Sequence, residues 1–553
     1  MVYQVMSRAA RMPASKLSAE RFSGFCRGYF GADFAEGTVN KRLPQVFKSL
    51  LIAVPDLKKF LHSVVAIGKG RATIEGEHND HELCNTISVP MENGTICVGL
   101  KRLKTFGDKG VIRILNSDDG QFPHFDLYIS VDDFEALNKS IAARKRSGAS
   151  PLWYEYPVSC VLELMHKYPK LKAELGKSET VLFFDGMEPF GVPVASGLSS
   201  SAAIENAALV AMVNLYRECF PGGIERSEIA EIAVAAENSI ANCGRLDQHT
   251  SIAPAGRQGV VLDYYKMVRD QWEGAYEFFD IPEQLLLGVV DSGQKASTAQ
   301  AGYRIRRLSG WVFAACFFHH LYADYEQHDA KKAEALINFL TADHLRSQKP
   351  SLRDIYMYGQ ETGRDPQAMW NDVVMKMFTK NAYTGPEILG ITADCTLFKG
   401  PGSRLIDMLA ADCGLEMGRI QSMLTPVFKP QYGLYVLGEQ GRVMRLYADL
   451  MQGNLGSIAG LMRETHYGMT DVYEAGTKKN TEIVKILEGL GIASRIVGAG
   501  FGGWNVFAII GADQEERVGN FKRAKKALLD SGFANCFMVT PGCGSAVFEP
   551  EAV

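Results

Sequence analysis

The stretch Gly191-Val-Pro-Val-Ala-Ser-Gly-Leu-Ser-Ser-Ser-Ala-Ala203 combines glycines, a proline and three successive serines, and it runs straight into a helical pattern. Glycines let a ligand approach the backbone, and serines at a helix N-terminus leave N–H groups and hydroxyls free. The helix dipole adds positive potential there, so the segment suits a phosphate chain. The serines could instead only cap the helix, but one serine suffices for that and gives no reason for Pro193, Gly197 and a run of three. No Gly-Lys-Ser/Thr follows the glycines, so this is not a Walker loop. Upstream, Glu77, His78 and Asp80 crowd into Gly70-Arg-Ala-Thr-Ile-Glu-Gly-Glu-His-Asn-Asp-His81. Carboxylates and an imidazole in such a cluster can donate to and accept from vicinal hydroxyls, although a charged surface loop would look the same. Gly498-Ala-Gly-Phe-Gly-Gly503 precedes a strand pattern instead of a helix, so a dinucleotide fold is excluded there.

The elements that must position these groups are mixed. Strand patterns lie at residues 64–67, 86–91, 95–100, 111–115, 125–131, 181–184 and 259–262, and in the second half at 285–290, 495–497, 505–510 and 536–539. Asn93-Gly94 between two of them predicts a hairpin. Residues 70–84 read as irregular. The clearest helix spans 200–219, where Ile204, Ala207, Ala208, Ala211 and Leu215 keep a 3.6-residue period. A long helical region follows at 304–343, then a poorly patterned stretch to about 430, and a helix at 515–529. Interleaved hairpins and crossovers predict an α+β architecture in two lobes, not a doubly wound parallel sheet.

At 553 residues and 46% hydrophobic content the chain can bury a large core, and its length suggests two to four domains. A net charge of -4 gives no footprint for nucleic acid. The longest apolar run, 311–318, is too short to span a bilayer, so no membrane partner is expected. Eleven cysteines without a C-x-x-C pair read as buried thiols of a reducing, cytoplasmic compartment. Arg8 and Arg11 among small residues leave an organelle-targeting reading open. His319-His320, inside an aromatic helical run, reads as a helix face and not as a metal site.

The serine loop resembles the phosphate motif Pro-x-x-x-Gly-Leu-Ser-Ser-Ser-Ala of the GHMP kinases, complete here as Pro193, Gly197, Leu198, Ser199, Ser200, Ser201 and Ala202. Three further segments are similar to the galactokinase members of that family. Residues 70–81 resemble Gly-Arg-x-x-x-x-Gly-Glu-His-x-Asp-Tyr. Cys243-Gly-Arg-Leu-Asp-Gln248 resembles Cys-Gly-x-x-Asp-Gln. The glycine turn with Gly498, Gly500, Gly502 and Gly503 resembles the family's C-terminal glycine motif, and Gly460-Leu-Met-Arg-Glu-Thr-His466 looks like the helix preceding it. The resemblance implies a two-lobed GHMP kinase fold with the active site between the lobes. It also implies ATP with Mg²⁺ and transfer of the γ-phosphate to the anomeric hydroxyl of a monosaccharide. It makes Asp247 the catalytic base and Arg71 its partner. Glu77, His78, Asp80, Gly244 and Tyr303 would bind the sugar, with Asp80 on ring hydroxyls and Glu77 and His78 near the exocyclic group. Ser201 and Glu237 would hold the metal. The implied division is an N-terminal extension at 1–60, an N-terminal domain at 61–280, and a C-terminal domain at 281–553 with an insertion around 310–430.

Departures fall near the sugar. Lys69 replaces a proline, His81 a tyrosine, Asp291-Ser292-Gly293 an Asn-Ser run, and Trp504 a small residue or cysteine; the turn at 82–90 is longer. The Asp-Ser-Gly run resembles plant arabinokinases, while His-x-Asp-His and Tyr473-Glu-Ala-Gly resemble galacturonokinases. Galactose leads as the expected substrate, with arabinose, galacturonate or N-acetylgalactosamine as alternatives. A sugar and ATP sensor without turnover stays open, and the Glu77-His78-Asp80 cluster argues against a non-sugar alcohol such as mevalonate or homoserine.

Overall fold

The computed structural model describes residues 5–6, 13–22, 36–104, 109–147, 149–188, 190–241, 243–254, 256–295, 301–341, 350–395, 397, 405–542 and 544–547, and fourteen strands are found among them. They are β1 (Val5–Met6), β2 (His62–Glu75), β3 (Thr86–Leu103), β4 (Val111–Asn116), β5 (Phe125–Tyr128), β6 (Ser178–Asp185), β7 (Ile224–Glu225), β8 (Gln258–Leu262), β9 (Tyr276–Asp280), β10 (Leu285–Gln294), β11 (Ala493–Ile496), β12 (Gly503–Ile510), β13 (Cys536–Val539) and β14 (Ala546–Val547). An eight-stranded sheet runs β14-β2-β3-β6-β4-β5, with β8 added to β3 and β9 to β8. All its pairs are antiparallel except β4 with β6. A four-stranded antiparallel sheet runs β11-β12-β10-β13.

The apolar run at 64–67 is continuous because its strand is covered on both faces. Val64, Ala66 and Cys97 point to a core built with the helices Glu155–Lys167, Ser200–Leu215 and Arg226–Ile240. Val65, Ile67, Ile96, Val98 and Leu100 point to the opposite side. There the helix Glu36–Ala53 lays down Leu43, Val46 and Leu50, joined by Ala14, Leu17 and Phe22. Residues read as an N-terminal extension therefore close the outer face of the sheet. Of residues 22–31, to which the family resemblance can be extended, only Phe22 is among the described residues.

Several local expectations are corrected. Asn93-Gly94 makes no hairpin, since β3 continues through it for 18 residues. Gly94 pairs with Lys69, and a Cβ on Gly94 would sit 2.3 Å from the carbonyl oxygen of Gly68. A Cβ on Gly68 would in turn sit 1.8 Å from the carbonyl oxygen of Ala203. The glycines thus serve close packing of strand on strand and strand on helix, not a turn. For the same reason residues 70–75 belong to β2 instead of an irregular segment. The strand expected to reach 131 stops at Tyr128, and a helix begins at Val131. The helical region at 304–343 is two helices, Ala301–His328 and Ala330–Thr341.

The poorly patterned stretch is mostly helical where described, with the helices Leu352–Thr362, Gly385–Asp394 and Leu405–Asp412 among others. Its core centres on Phe313, Phe317 and Trp370. His319 and His320 are half-buried on the helix Ala301–His328, and no cluster of three metal-ligating side chains occurs among the described residues. The two sheets meet through Ala72, Ile74, Ile87 and Val89 on one side and Leu287, Val289 and Val506 on the other. After β13 the chain returns to the first sheet: Met91 bridges Pro541 and β14 pairs with β2. Among the described residues no helix is long and apolar enough to cross a membrane.

Candidate active site

The serine loop ends at Ser199, whose φ of 67° is left-handed, and the helix Ser200–Leu215 begins with no side-chain hydrogen bond to its free N–H groups. The serines therefore do not serve as a simple cap. Ser199 Oγ is buried without a partner among the described residues, and Ser200 and Ser201 are half-buried in the first turn. An unsatisfied hydroxyl beside free helical N–H groups is a cradle for an anion. Leu198 and Ala202 are fully buried, so their side chains serve packing. The Leu198 carbonyl accepts the backbone N–H of Arg71 at 3.1 Å and fixes the loop to β2.

The second glycine segment presses on this loop. A Cβ on Gly197 would lie 2.7 Å from the carbonyl oxygen of Val497, and one on Gly498 would lie 2.6 Å from Gly197 Cα. Both have positive φ, 80° in each case. Gly500 serves a different contact, with Ala475, and Gly502 and Gly503 turn the chain into β12 beside Gln294.

Arg71, at the middle of β2, is buried and reaches across this junction. Its Nε and Nη2 both donate to Asp247 Oδ1, at 2.9 and 2.7 Å, and its Nη1 donates to the Gly197 carbonyl at 2.6 Å. Asp247 stands in the first turn of the helix Leu246–Ile252 with its side chain 31% exposed, and among the described residues its Oδ2 makes no hydrogen bond. Burial works against the Arg71 charge, but Asp247 and Glu77 outweigh it and hold its pKa above the usual value.

The remaining acids sort by neighbour. Glu77 Oε1 accepts the Gly498 N–H at 2.7 Å and lies 3.8 Å from both Arg71 Nη1 and Arg495 Nη1. That oxygen ties the glycine turn to the buried arginines. Asp80 lies against Gly244, where a Cβ would be 1.5 Å from Oδ2, so only glycine lets the carboxylate sit there. Burial, then the charge of Asp247, raises the Asp80 pKa. His78, with φ 67°, packs its ring at a tilt against Tyr473 at 4.6 Å and Tyr303 at 5.7 Å. Burial, then Arg306, lowers its pKa to about 3, so the ring is neutral.

Behind Asp247, Gln248 Nε2 bridges two buried carboxyls, donating to Glu237 Oε2 and to Glu205 Oε2. Ser201 also bonds Glu237. Burial and then Asp247 push Glu237 up to about 7, and burial and then Glu237 push Glu205 well above its usual value. Glu205 Oε1 has no partner among the described residues. Two buried carboxyls short of positive charge, beside a serine hydroxyl and a phosphate cradle, fit a Mg²⁺ ion that takes its other ligands from phosphate and water.

Arg71, Asp247, Gly197, Glu77, Gly498, Asp80 and Gly244 thus meet around one junction, with Ser201 and Glu237 joined beside them. Sequence reasoning missed Glu205, Gln248 and Arg495. Glu205 stands four residues after Ser201, and that i, i+4 spacing places both on one helix face. Gln248 adjoins Asp247 in the quoted run. Arg495 carried no signal, because its partners Thr73, Ile74 and Glu77 lie more than 400 residues earlier.

The GHMP kinases N terminal domain family matches residues 160–254, which hold the serine loop, Glu237 and Asp247. A galactokinase of Actinobacillus pleuropneumoniae is 26% identical over 253 residues, covering 45% of this chain and 55% of that protein. The human galactokinase is 24% identical over 242 residues, covering 43% and 52%. The matched stretch therefore spans about half the length of those relatives. The crystal structure of Lactococcus lactis galactokinase complexed with galactose superposes with a TM-score of 0.56 at 16% identity, covering 91% of this chain and 99% of that one. Residues 160–254 thus match the GHMP kinases N terminal domain, and the chain is similar to galactokinases in sequence over less than half of its length and in fold over most of it.

Proposed function

We propose that the chain is an ATP-dependent sugar 1-kinase, transferring the γ-phosphate of ATP to the anomeric hydroxyl of a monosaccharide, with galactose the first candidate. The observation that carries this reading is the Arg71–Asp247 pair set against the phosphate cradle. Galactokinase relatives and the fold likeness to a galactose-bound galactokinase support the choice of a sugar.

In this reading the helix N-terminus at Ser200 and the Ser199 hydroxyl hold the phosphates. Arg71 holds Asp247 through Oδ1, which leaves Oδ2 to accept the hydroxyl proton as the sugar oxygen attacks phosphorus. The Arg71 guanidinium also offsets charge on the transferring group, and positioning of this kind is most of what a phosphoryl-transfer enzyme supplies. Ser201 and Glu237 would hold Mg²⁺, which supplies charge neutralisation on the phosphates. Asp80, His78 and Tyr303 would receive the sugar, and the neutral His78 ring suits a hydroxyl. Residues 61–280 and 281–553 would be the two kinase domains, with the helices around 310–430 as the insertion.

The test is ADP release from ATP and Mg²⁺ against galactose, arabinose, galacturonate and N-acetylgalactosamine. Selective turnover of one sugar is the expected result. Absence of turnover with every sugar, while ATP still binds, would contradict the reading.

A further inference from the structure

His81, one residue beyond Asp80, stands where a tyrosine was expected from the resemblance. Its ring meets His78 at 5.7 Å and 66°, and Tyr303 at 5.7 Å and 87°. The side chain is 1% exposed, yet among the described residues neither ring nitrogen has a hydrogen-bond partner. Glu82 Oε1 lies 3.5 Å from Nδ1. The neighbouring His78 Nε2 and Tyr473 hydroxyl are also buried and have no partner among the described residues. Burying a donor and an acceptor without partners is costly, and folded chains carry few of them, so four such atoms around one set of rings point to an occupant.

The chemistry of the occupant follows from the ring. Burial, then Arg307 and His78, hold the His81 pKa well below its usual value, so the imidazole is neutral, with one donor and one acceptor. A hydroxyl group, which also both donates and accepts, is the matching partner. The place on the ligand follows from the contacts. Asp80 faces Gly244 and the Leu246 N–H, beside Asp247, whereas His81 packs against His78 and Tyr303 and its carbonyl accepts from Trp311 Nε1 at 3.2 Å.

We propose that His81 is a specificity-determining residue of the sugar pocket, hydrogen-bonding a ring or exocyclic hydroxyl away from the anomeric carbon. This rests on the sugar-kinase reading for the identity of the ligand, but not on turnover.

The experiment is calorimetric binding of galactose and its 2-, 3-, 4- and 6-deoxy analogues to the full chain, wild type, His81→Phe and His81→Gln. Wild type is expected to bind one deoxy analogue about tenfold more weakly than galactose, the effect of one net hydrogen bond. His81→Phe is expected to bind galactose about tenfold more weakly and to lose discrimination against that one analogue. His81→Gln, which keeps a donor and an acceptor, should restore part of it. If His81→Phe folds and binds all five sugars as wild type does, if both variants lose affinity equally for all five, or if wild type binds galactose and all four deoxy analogues alike, the assignment is overturned. Wild type binding none of the five removes the assignment together with galactose as ligand. Binding without turnover removes only the kinase reading.

Discussion

Arg71 directs two of its N–H groups to a single oxygen of Asp247 and a third to the carbonyl of Gly197, so one buried guanidinium joins the proposed base to the phosphate loop. A fork of fixed donors is needed for this, and an ammonium cannot reproduce it. Arg71→Lys should keep the fold by circular dichroism and lower kcat by about a hundredfold to a thousandfold, the usual effect of removing one preorganised charge-stabilising donor. Steady-state kinetics check this, and a variant with near-normal kcat would separate Arg71 from the chemistry.

Ser199 gives a prediction with two opposite halves. Its hydroxyl is buried with no partner among the described residues, so Ser199→Ala should leave thermal stability without ligands unchanged or slightly higher. The same change should weaken ATP binding by about tenfold, since one hydrogen bond to the phosphates is lost. Thermal melts and an ATP titration read the two halves separately.

Gly244 tests the seat of Asp80. An alanine there would bring Cβ within 1.5 Å of Asp80 Oδ2, so the carboxylate must move. Gly244→Ala should lower kcat/KM for the sugar by about a hundredfold, the scale expected for a displacement near 1 Å. The KM for ATP should change little, because the phosphate cradle does not touch Gly244.

The pH dependence of stability has a specific source in Glu75. Burial first, and then the charge of Glu439, push its carboxyl up to about 8, against the pull of Arg495, Thr465 and Arg442. Its unfolded value is about 4.3. Between the two, the folded chain holds one more proton than the unfolded one. The stabilisation is present in full below the unfolded value and is lost as pH rises through the folded value, by up to about 1.4 kcal/mol per pH unit. Glu75→Gln should flatten that decline, as read from urea melts at pH 5, 6.5 and 8. Equal slopes in the two proteins would contradict the assignment.

What the sequence made legible follows from distance along the chain. The phosphate loop and Gly244 next to Asp247 were visible because each lies within a short segment with a chemical reason of its own. Glu75 and Glu439 were not, since they share Thr465 across gaps of 390 and 26 residues that no local pattern connects. The Asn93-Gly94 misreading has a different cause. That dipeptide is a turn signal by conformational preference, but here Gly94 is selected by contact with the Gly68 backbone, and tertiary packing overrode the local signal. The cover over the outer sheet face stayed hidden for a third reason: Pro44 lies inside the helix that supplies it.

The most direct test of the central claim is turnover by Asp247→Asn, with sugar and ATP binding measured on the same preparation. Asparagine keeps the size of the side chain and removes the charge that would take the proton. Loss of kcat by about a hundredfold to ten-thousandfold, with ATP affinity retained and sugar affinity largely so, is the predicted result. Turnover near that of wild type would show that Asp247 is not the base and would contradict the account.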